Sequence, residues 1–193
     1  MNTLSLWILN ILVSISPPQN QIGESEIEAR NRYESIADDM AYAIEFADPI
    51  FKGKDAKFKE AALLTSIAFY ESSGFKKDID SGKIRGDNGK SWCLMQINVG
   101  TDTIKFGNSD MKSWKGQDLV KDRKKCFLAG IESIKISRNL CSKLSESGSL
   151  SVYTTGRCIP NQKEALYRWN FSNYLFNKFN STSFSFVKND GTN

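Results

Sequence analysis

Apolar residues recur at helical spacing through most of the chain. Ser25 followed by Glu28 is the pattern of a capping box, so a helix is predicted to open there. Ile27, Tyr33, Ile36, Met40, Ala41, Ile44 and Ala47 supply its apolar side, and Pro49 ends it. Asp55 is placed to cap a second helix whose buried side is Phe58, Ala61, Ala62, Leu64, Ile67 and Ala68. That helix runs into Tyr70-Glu71-Ser72-Ser73-Gly74, where Gly74 is a stop signal. Residues 75–90 are polar and glycine-containing and read as a loop or short hairpin. Residues 92–99 turn apolar again, and 107–116 read as connector. A long helix is predicted from Leu119 or Asp122 to Leu140, burying Phe127, Leu128, Ile131, Ile134 and Ile136. Serine-rich residues 143–151 are expected at the surface. The short apolar segment Leu150–Tyr153 then leads to Thr154-Thr155-Gly156, and Pro160 precedes an aromatic-rich helix over 162–179. The class is mainly α, as a single domain with a small β-hairpin at most.

Leu4 to Ile15 is a separate apolar run, of the length of a signal-peptide core and too short for an ordinary membrane span. Pro17 and Pro18 break any helix after it. Residues 4–15 are therefore expected to be an export signal or a retained membrane anchor; the alternative is a strand or helix packed on the domain. The organisation expected is a leader and Pro-Pro linker over 1–20, an N-terminal helix over 21–54 packing on the domain, the main domain over 55–180, and a polar tail over 181–193.

With 193 residues, 40% of them hydrophobic, the chain is long enough to bury a real core. Histidine is absent, which excludes Ser-His-Asp and Cys-His catalysis and histidine metal sites. Acid–base chemistry near neutral pH falls to carboxylates, Lys, Tyr, Cys or water. The net charge of +4 suits an anionic partner, and without a basic run interleaved with aromatics nucleic acid is not expected. Cys93, Cys126, Cys141 and Cys158 lack C-x-x-C spacing. They admit two disulfides in three connectivities, or four buried thiols. No metal or organic cofactor is implied.

Glu71 stands out by placement, at the end of an apolar helix and before small residues. A carboxyl group held against apolar surface keeps its proton to higher pH and can give it to a leaving oxygen. The alternative is a helix-terminal Glu bonded to nearby backbone. Downstream come Gly86-Asp87-Asn88-Gly89, then Ser91-Trp92-Cys93-Leu94-Met95-Gln96-Ile97-Asn98, then Gly116-Gln117-Asp118-Leu119, Cys126-Phe127-Leu128-Ala129-Gly130 and finally Val152-Tyr153-Thr154-Thr155-Gly156. In order and spacing this resembles the superfamily of soluble lytic transglycosylases and goose-type lysozymes, which cleave peptidoglycan. The family shows E-S-x-G, then S-x-G-L-M-Q-I, then N-I-x-x-G, then Y-N-A-G. The resemblance covers about residues 57–169, and its E-S-S-G and L-M-Q-I-N elements are specific together.

The resemblance implies a lysozyme-like catalytic domain with a substrate cleft for peptidoglycan glycan strands. It implies Glu71 as the catalytic acid, Ser91 as the serine touching that carboxyl, Gln96 beside the sugar N-acetyl group, Met95 lining the cleft, and Tyr153 beside the glutamate. Asn98 joins the substrate-binding set; goose-type enzymes often carry a second acid there. Departures are informative. Cys93 stands where the family usually has Gly and Cys126 where it usually has Asn, which suggests one paired change, a Cys93–Cys126 disulfide. Cys141–Cys158 is then the second pair. Thr154 and Thr155 replace Asn-Ala of Y-N-A-G.

A transglycosylase needs one carboxyl, which protonates the glycosidic oxygen and then acts as base on the sugar's own primary hydroxyl. A hydrolase needs a positioned water, usually held by a second carboxylate. Asp87 is the candidate for that role, although Asp78, Asp80 and Asp87 also read as solvated loop charges. The expectation is lytic transglycosylase chemistry first and goose-type hydrolysis second. A wall-binding structural part of a phage or secretion assembly is the third. Disulfides would put the working site in a secreted or periplasmic setting, or on a virion.

Overall fold

The structure, a computed structural model, describes residues 1–100 and 102–183. Its elements are α1 (Thr3–Ile15), α2 (Glu26–Phe46), α3 (Ala56–Glu71), the single turn α4 (Lys77–Asp80), strands β1 (Ser91–Trp92) and β2 (Ile97–Asn98), α5 (Gly116–Lys121), α6 (Arg123–Leu140), α7 (Ser151–Thr155) and α8 (Lys163–Ser183). The fold is mainly α. The two strands pair antiparallel, Ser91 opposite Asn98 and Trp92 opposite Ile97. The hairpin thus falls one segment later than the 75–90 loop, where α4 forms instead.

The capping box of α2 is made: the Ser25 hydroxyl accepts from the Glu28 amide at 3.2 Å, and the Ser25 amide donates to the Glu28 carboxylate at 2.7 Å. Asp55 precedes α3 as expected, but its side chain makes no capping hydrogen bond. Asp122 does cap α6, accepting from the Lys124 amide at 3.1 Å. α2 buries Ala29, Tyr33, Ile36, Ala37, Met40, Ala41, Ala43 and Ile44. Ile27, expected on this side, lies in the first turn, before the helix is covered, and is exposed.

α3 packs along α8, and α1 packs against α2, α3 and α8. Ile8, Ile11 and Leu12 of α1 have no exposed surface, so the run expected as signal or anchor spends its apolar side on the core. Among the described residues no helix is long and apolar enough to cross a membrane. The tail expected over 181–193 lies outside the described residues from 184 onward.

Two disulfides, Cys93–Cys126 and Cys141–Cys158, have the pairing implied by the resemblance. The first fixes the β1–β2 turn to α6, and the second ties the end of α6 to the segment after α7. Closing loops of 33 and 17 residues, such links remove unfolded-state entropy worth about 3–4 kcal/mol each. Residues 148–151 are buried rather than exposed, because Leu150 joins the core and the Ser137 hydroxyl donates to the Ser149 carbonyl at 2.7 Å.

A buried ion network fixes the segment after Glu71. Arg123 grips Asp80 through Nε and Nη2 at 2.7 and 2.8 Å, Arg32 approaches the same carboxylate at 3.9 Å, and Arg32 also donates to the Phe75 carbonyl at 2.7 Å. Asp80 is therefore no solvated loop charge. It joins α4 to α2 and α6.

Candidate functional site

α3 ends at Glu71 because its backbone reverses there. The Ser72 hydroxyl donates to the Ala68 carbonyl at 2.5 Å and accepts from the Phe75 amide at 2.9 Å. Ser73, Gly74 and Phe75 take left-handed conformations, with φ of 52°, 85° and 61°. Only glycine adopts this region freely, so Gly74 carries the reversal and its amide closes on the Phe69 carbonyl at 2.8 Å. The chain leaves abruptly, and the last side chain of the helix is left facing a cavity of about 280 Å³. Glu71, Asp87, Ser91, Gln96, Tyr153 and Arg168 line it. A second cavity, of about 470 Å³, shares Asp87, Gln96, Tyr153 and Thr154 with the first and continues along Asn98, Phe106 and Thr155. Together they make a groove with Glu71 at one end.

The Glu71 side chain is 19% exposed. Burial raises its pKa above the ordinary glutamate value, Arg168 pulls it down, and Asp87 pushes it up again, for a net rise. Oε1 accepts from Arg168 Nε at 3.2 Å and Nη2 at 2.9 Å. Oε2 has no hydrogen-bond partner among the described residues and is not closed off from the cavity.

Asp87 opens the Asp87–Gly89 turn with φ of 49° and is exposed. Its Oδ2 accepts from the Ser91 hydroxyl at 2.5 Å and from the Asn98 amide at 3.5 Å. Ser91 therefore contacts Asp87, and not Glu71 as the resemblance implies, because β1 points its hydroxyl toward the turn that precedes it. Asn98 spends its other amide atom on the Gly100 amide at 3.0 Å.

Gln96 lines both cavities. Its Oε1 accepts from the Gly86 amide at 2.9 Å and its Nε2 donates to the Cys93 carbonyl at 3.0 Å. A Cβ on Gly86 would stand 2.5 Å from that Oε1, so a side chain there would displace the Gln96 amide. Gln96 thus braces the hairpin turn against the 86–89 turn while bordering the groove.

Met95 departs from its expected place in the cleft wall. Its side chain has no exposed surface and packs on Gly130 of α6, where a Cβ would meet Met95 Cε at 2.6 Å. What Met95 offers the site is its carbonyl, which accepts from the Tyr153 hydroxyl at 2.5 Å. Burial, then the Glu71 charge, raise the Tyr153 pKa well above the usual tyrosine value, so the phenol stays protonated. Thr154 and Thr155 turn their hydroxyls back to the Ser151 carbonyl at 3.1 and 2.8 Å, and the Thr154 hydroxyl also meets Gln162 Oε1 at 3.2 Å.

The structure brings Glu71, Asp87, Ser91, Gln96, Asn98 and Tyr153 to one groove and withdraws the Met95 side chain. Sequence reasoning missed Arg168, the only cation among the described residues that line the first cavity. An arginine among aromatic residues of a helix gives no signal until α8 is laid against α3. The described residues hold no cluster of His, Cys, Asp and Glu suited to a metal ion. No protein-family model, curated protein or solved structure matches this chain.

Proposed function

We propose that this protein cleaves the glycan strands of peptidoglycan between N-acetylmuramic acid and N-acetylglucosamine, as a lytic transglycosylase on a lysozyme-like domain. The observation that carries the reading is Glu71: a mostly buried carboxyl with raised proton affinity, one oxygen held by Arg168 and the other free, at the end of an open groove. A carboxyl whose proton affinity is raised in this way is suited to give its proton to a leaving oxygen. The motif order that resembles the family supports the same assignment.

In the proposed reaction Glu71 gives its proton to the glycosidic oxygen as the bond from that oxygen to C1 of muramic acid breaks. The glucosamine end leaves as an alcohol and positive charge develops on C1 and the ring oxygen. The Glu71 carboxylate then takes the proton of the C6 hydroxyl as O6 bonds to C1, giving a 1,6-anhydro end and restoring the acid. No water is consumed. The protonated Tyr153 phenol and the Gln96 amide, both engaged with backbone, hold the shape of the groove while this occurs.

One observation favours a second reading. Asp87 lines the same cavity as Glu71 and is oriented by Ser91 and Asn98. A second carboxylate so held can position a water on the far face of the sugar, as inverting hydrolases do. The two disulfides fit a chain that works outside a reducing compartment, secreted or periplasmic.

Mass spectrometry of muropeptides released from purified peptidoglycan tests the reading, with Glu71→Gln and Asp87→Asn beside wild type. Products one water lighter than hydrolysis products, absent for Glu71→Gln and retained for Asp87→Asn, are expected. Reducing-end products that need both carboxylates would make the protein a hydrolase. No release by wild type, with wall binding intact, would move it to a binding part of a phage or secretion assembly.

A further inference from the structure

Arg168 lies on α8, 97 residues from Glu71. Its backbone is tied to α3, since the Ser66 hydroxyl donates to the Arg168 carbonyl at 2.7 Å. The remaining arm of the guanidinium, Nη1, donates to the Glu164 carbonyl one turn back at 2.9 Å, and the group lies 5.4 Å from the centre of the Tyr70 ring. Backbone, planar head and flat face are thus each constrained before the guanidinium meets the carboxyl. Its side chain is 12% exposed, so solvent screens the pair little.

Both donors that reach Glu71 converge on the same oxygen. This is not the two-oxygen fork that arginine ordinarily makes with a carboxylate. An oxygen already facing two hydrogens of a cation is the poorer place for a further proton, so the proton of the neutral acid belongs on Oε2. That is the oxygen left open to the cavity.

We infer that Arg168 is a positioning residue of this site: by holding Oε1 it fixes the rotamer of Glu71 and assigns proton transfer to Oε2. The inference rests on the peptidoglycan-cleaving reading for its consequence, though not for its geometry. Among the described residues, the charged and titratable groups that face Glu71 are Arg168 from α8, Asp87 from the turn before β1, and Tyr153 from α7. Arg168 is the only one that favours the carboxylate. It restrains the rise caused by burial and by Asp87, and it stabilises the anion in the interval when Glu71 has lost one proton and not yet taken the next. A single carboxyl that must serve as acid and then as base needs both properties.

Arg168→Gln and Arg168→Lys test this, each first checked for native circular dichroism. With glycan oligomers of defined length, Arg168→Gln is expected to lower kcat on the order of 10²-fold, with KM nearly unchanged, because the acid is no longer aimed. The basic limb of its pH profile should move to higher pH, since the neutral form loses its competitor. Arg168→Lys keeps the charge without the paired planar donors on Oε1, so its basic limb should stay near that of wild type while kcat falls less. Titration of the Glu71 carboxyl by carbon NMR, assigned against Glu71→Gln, is run on the same proteins and needs no activity. A rise of the Glu71 pKa in Arg168→Gln supports the inference even if wild type cleaves nothing, which would sink only the enzymatic reading. Wild-type kcat in Arg168→Gln, or loss of activity in both variants with the Glu71 titration unmoved, would overturn the inference.

Discussion

The Tyr153 hydroxyl and the Met95 carbonyl meet at 2.5 Å across 58 residues of sequence. That bond closes the groove at its base, joining α7 to the turn of the hairpin. The Met95 side chain points the other way, into α6. One residue thus anchors the turn with its side chain and receives the site's tyrosine with its backbone.

Tyr153→Phe leaves that carbonyl unpaired in a buried place. Stability should fall by about 1–3 kcal/mol. Lysis of peptidoglycan should fall with it, since the groove loses its brace. Urea unfolding and turbidity clearing measure the two; unchanged stability would mean that the bond contributes nothing.

Glu60 is buried in α3, with Oε2 accepting from the Ile50 amide at 3.2 Å and Oε1 unpartnered. Burial raises its pKa from 4.5 to about 7. Between those values the folded chain binds more protons than the unfolded one at this residue. Its contribution is therefore greatest below pH 4.5, falls as pH rises toward 7 and is constant above. The loss is about 3 kcal/mol. Glu60→Gln should abolish this slope and be the more stable protein at pH 8. Unfolding curves from pH 4 to 8 check it, and parallel slopes in the two proteins would refute it.

Replacing Cys93 and Cys126 together by Ala should lower stability by about 3–4 kcal/mol, from the loop that the link closes. It should also loosen the turn that carries Gln96. Thermal unfolding in the presence and absence of a thiol reductant gives the comparison. Equal melting temperatures for wild type under both conditions would count against a structural role for both bridges.

Asp80→Ala removes the anion shared by Arg123 and Arg32, leaving Arg32 with Glu24 and Arg123 with Asp39 and Ser35. Because each arginine keeps a partner, the loss should stay below the roughly 3–5 kcal/mol of an uncompensated buried charge. The 75–80 segment that follows Glu71 should then exchange amide hydrogens faster, while α8 does not. Hydrogen exchange read by mass spectrometry distinguishes this local loosening from global loss.

Much of the helical frame is legible in the sequence because its causes are local. The Ser25 box, the Gly74 reversal and the spacing of Tyr33, Ile36 and Met40 act within a few residues of themselves. The identity of Glu71 as the residue of interest came from its place at a helix end and from motif order. Residues 148–151 misled because serine is polar on average, while here the Ser137 hydroxyl donates to the Ser149 carbonyl and the Ser149 hydroxyl to the Glu146 carbonyl.

Other facts belong to the tertiary structure. Whether residues 4–15 meet lipid or protein depends on the apolar surface that α2, α3 and α8 present to them. The direction of the Met95 side chain depends on Gly130 opposite it, and the partner of the Ser91 hydroxyl on the path of the 87–89 turn. Above all, the pairing of Glu71 with Arg168 exists only because α8 returns along α3 after 97 residues. The sequence determined by itself where α2 begins, where α3 ends and which carboxyl closes α3. Burial and charge at that carboxyl are sums over neighbours distant in the chain, and only the folded packing decides them.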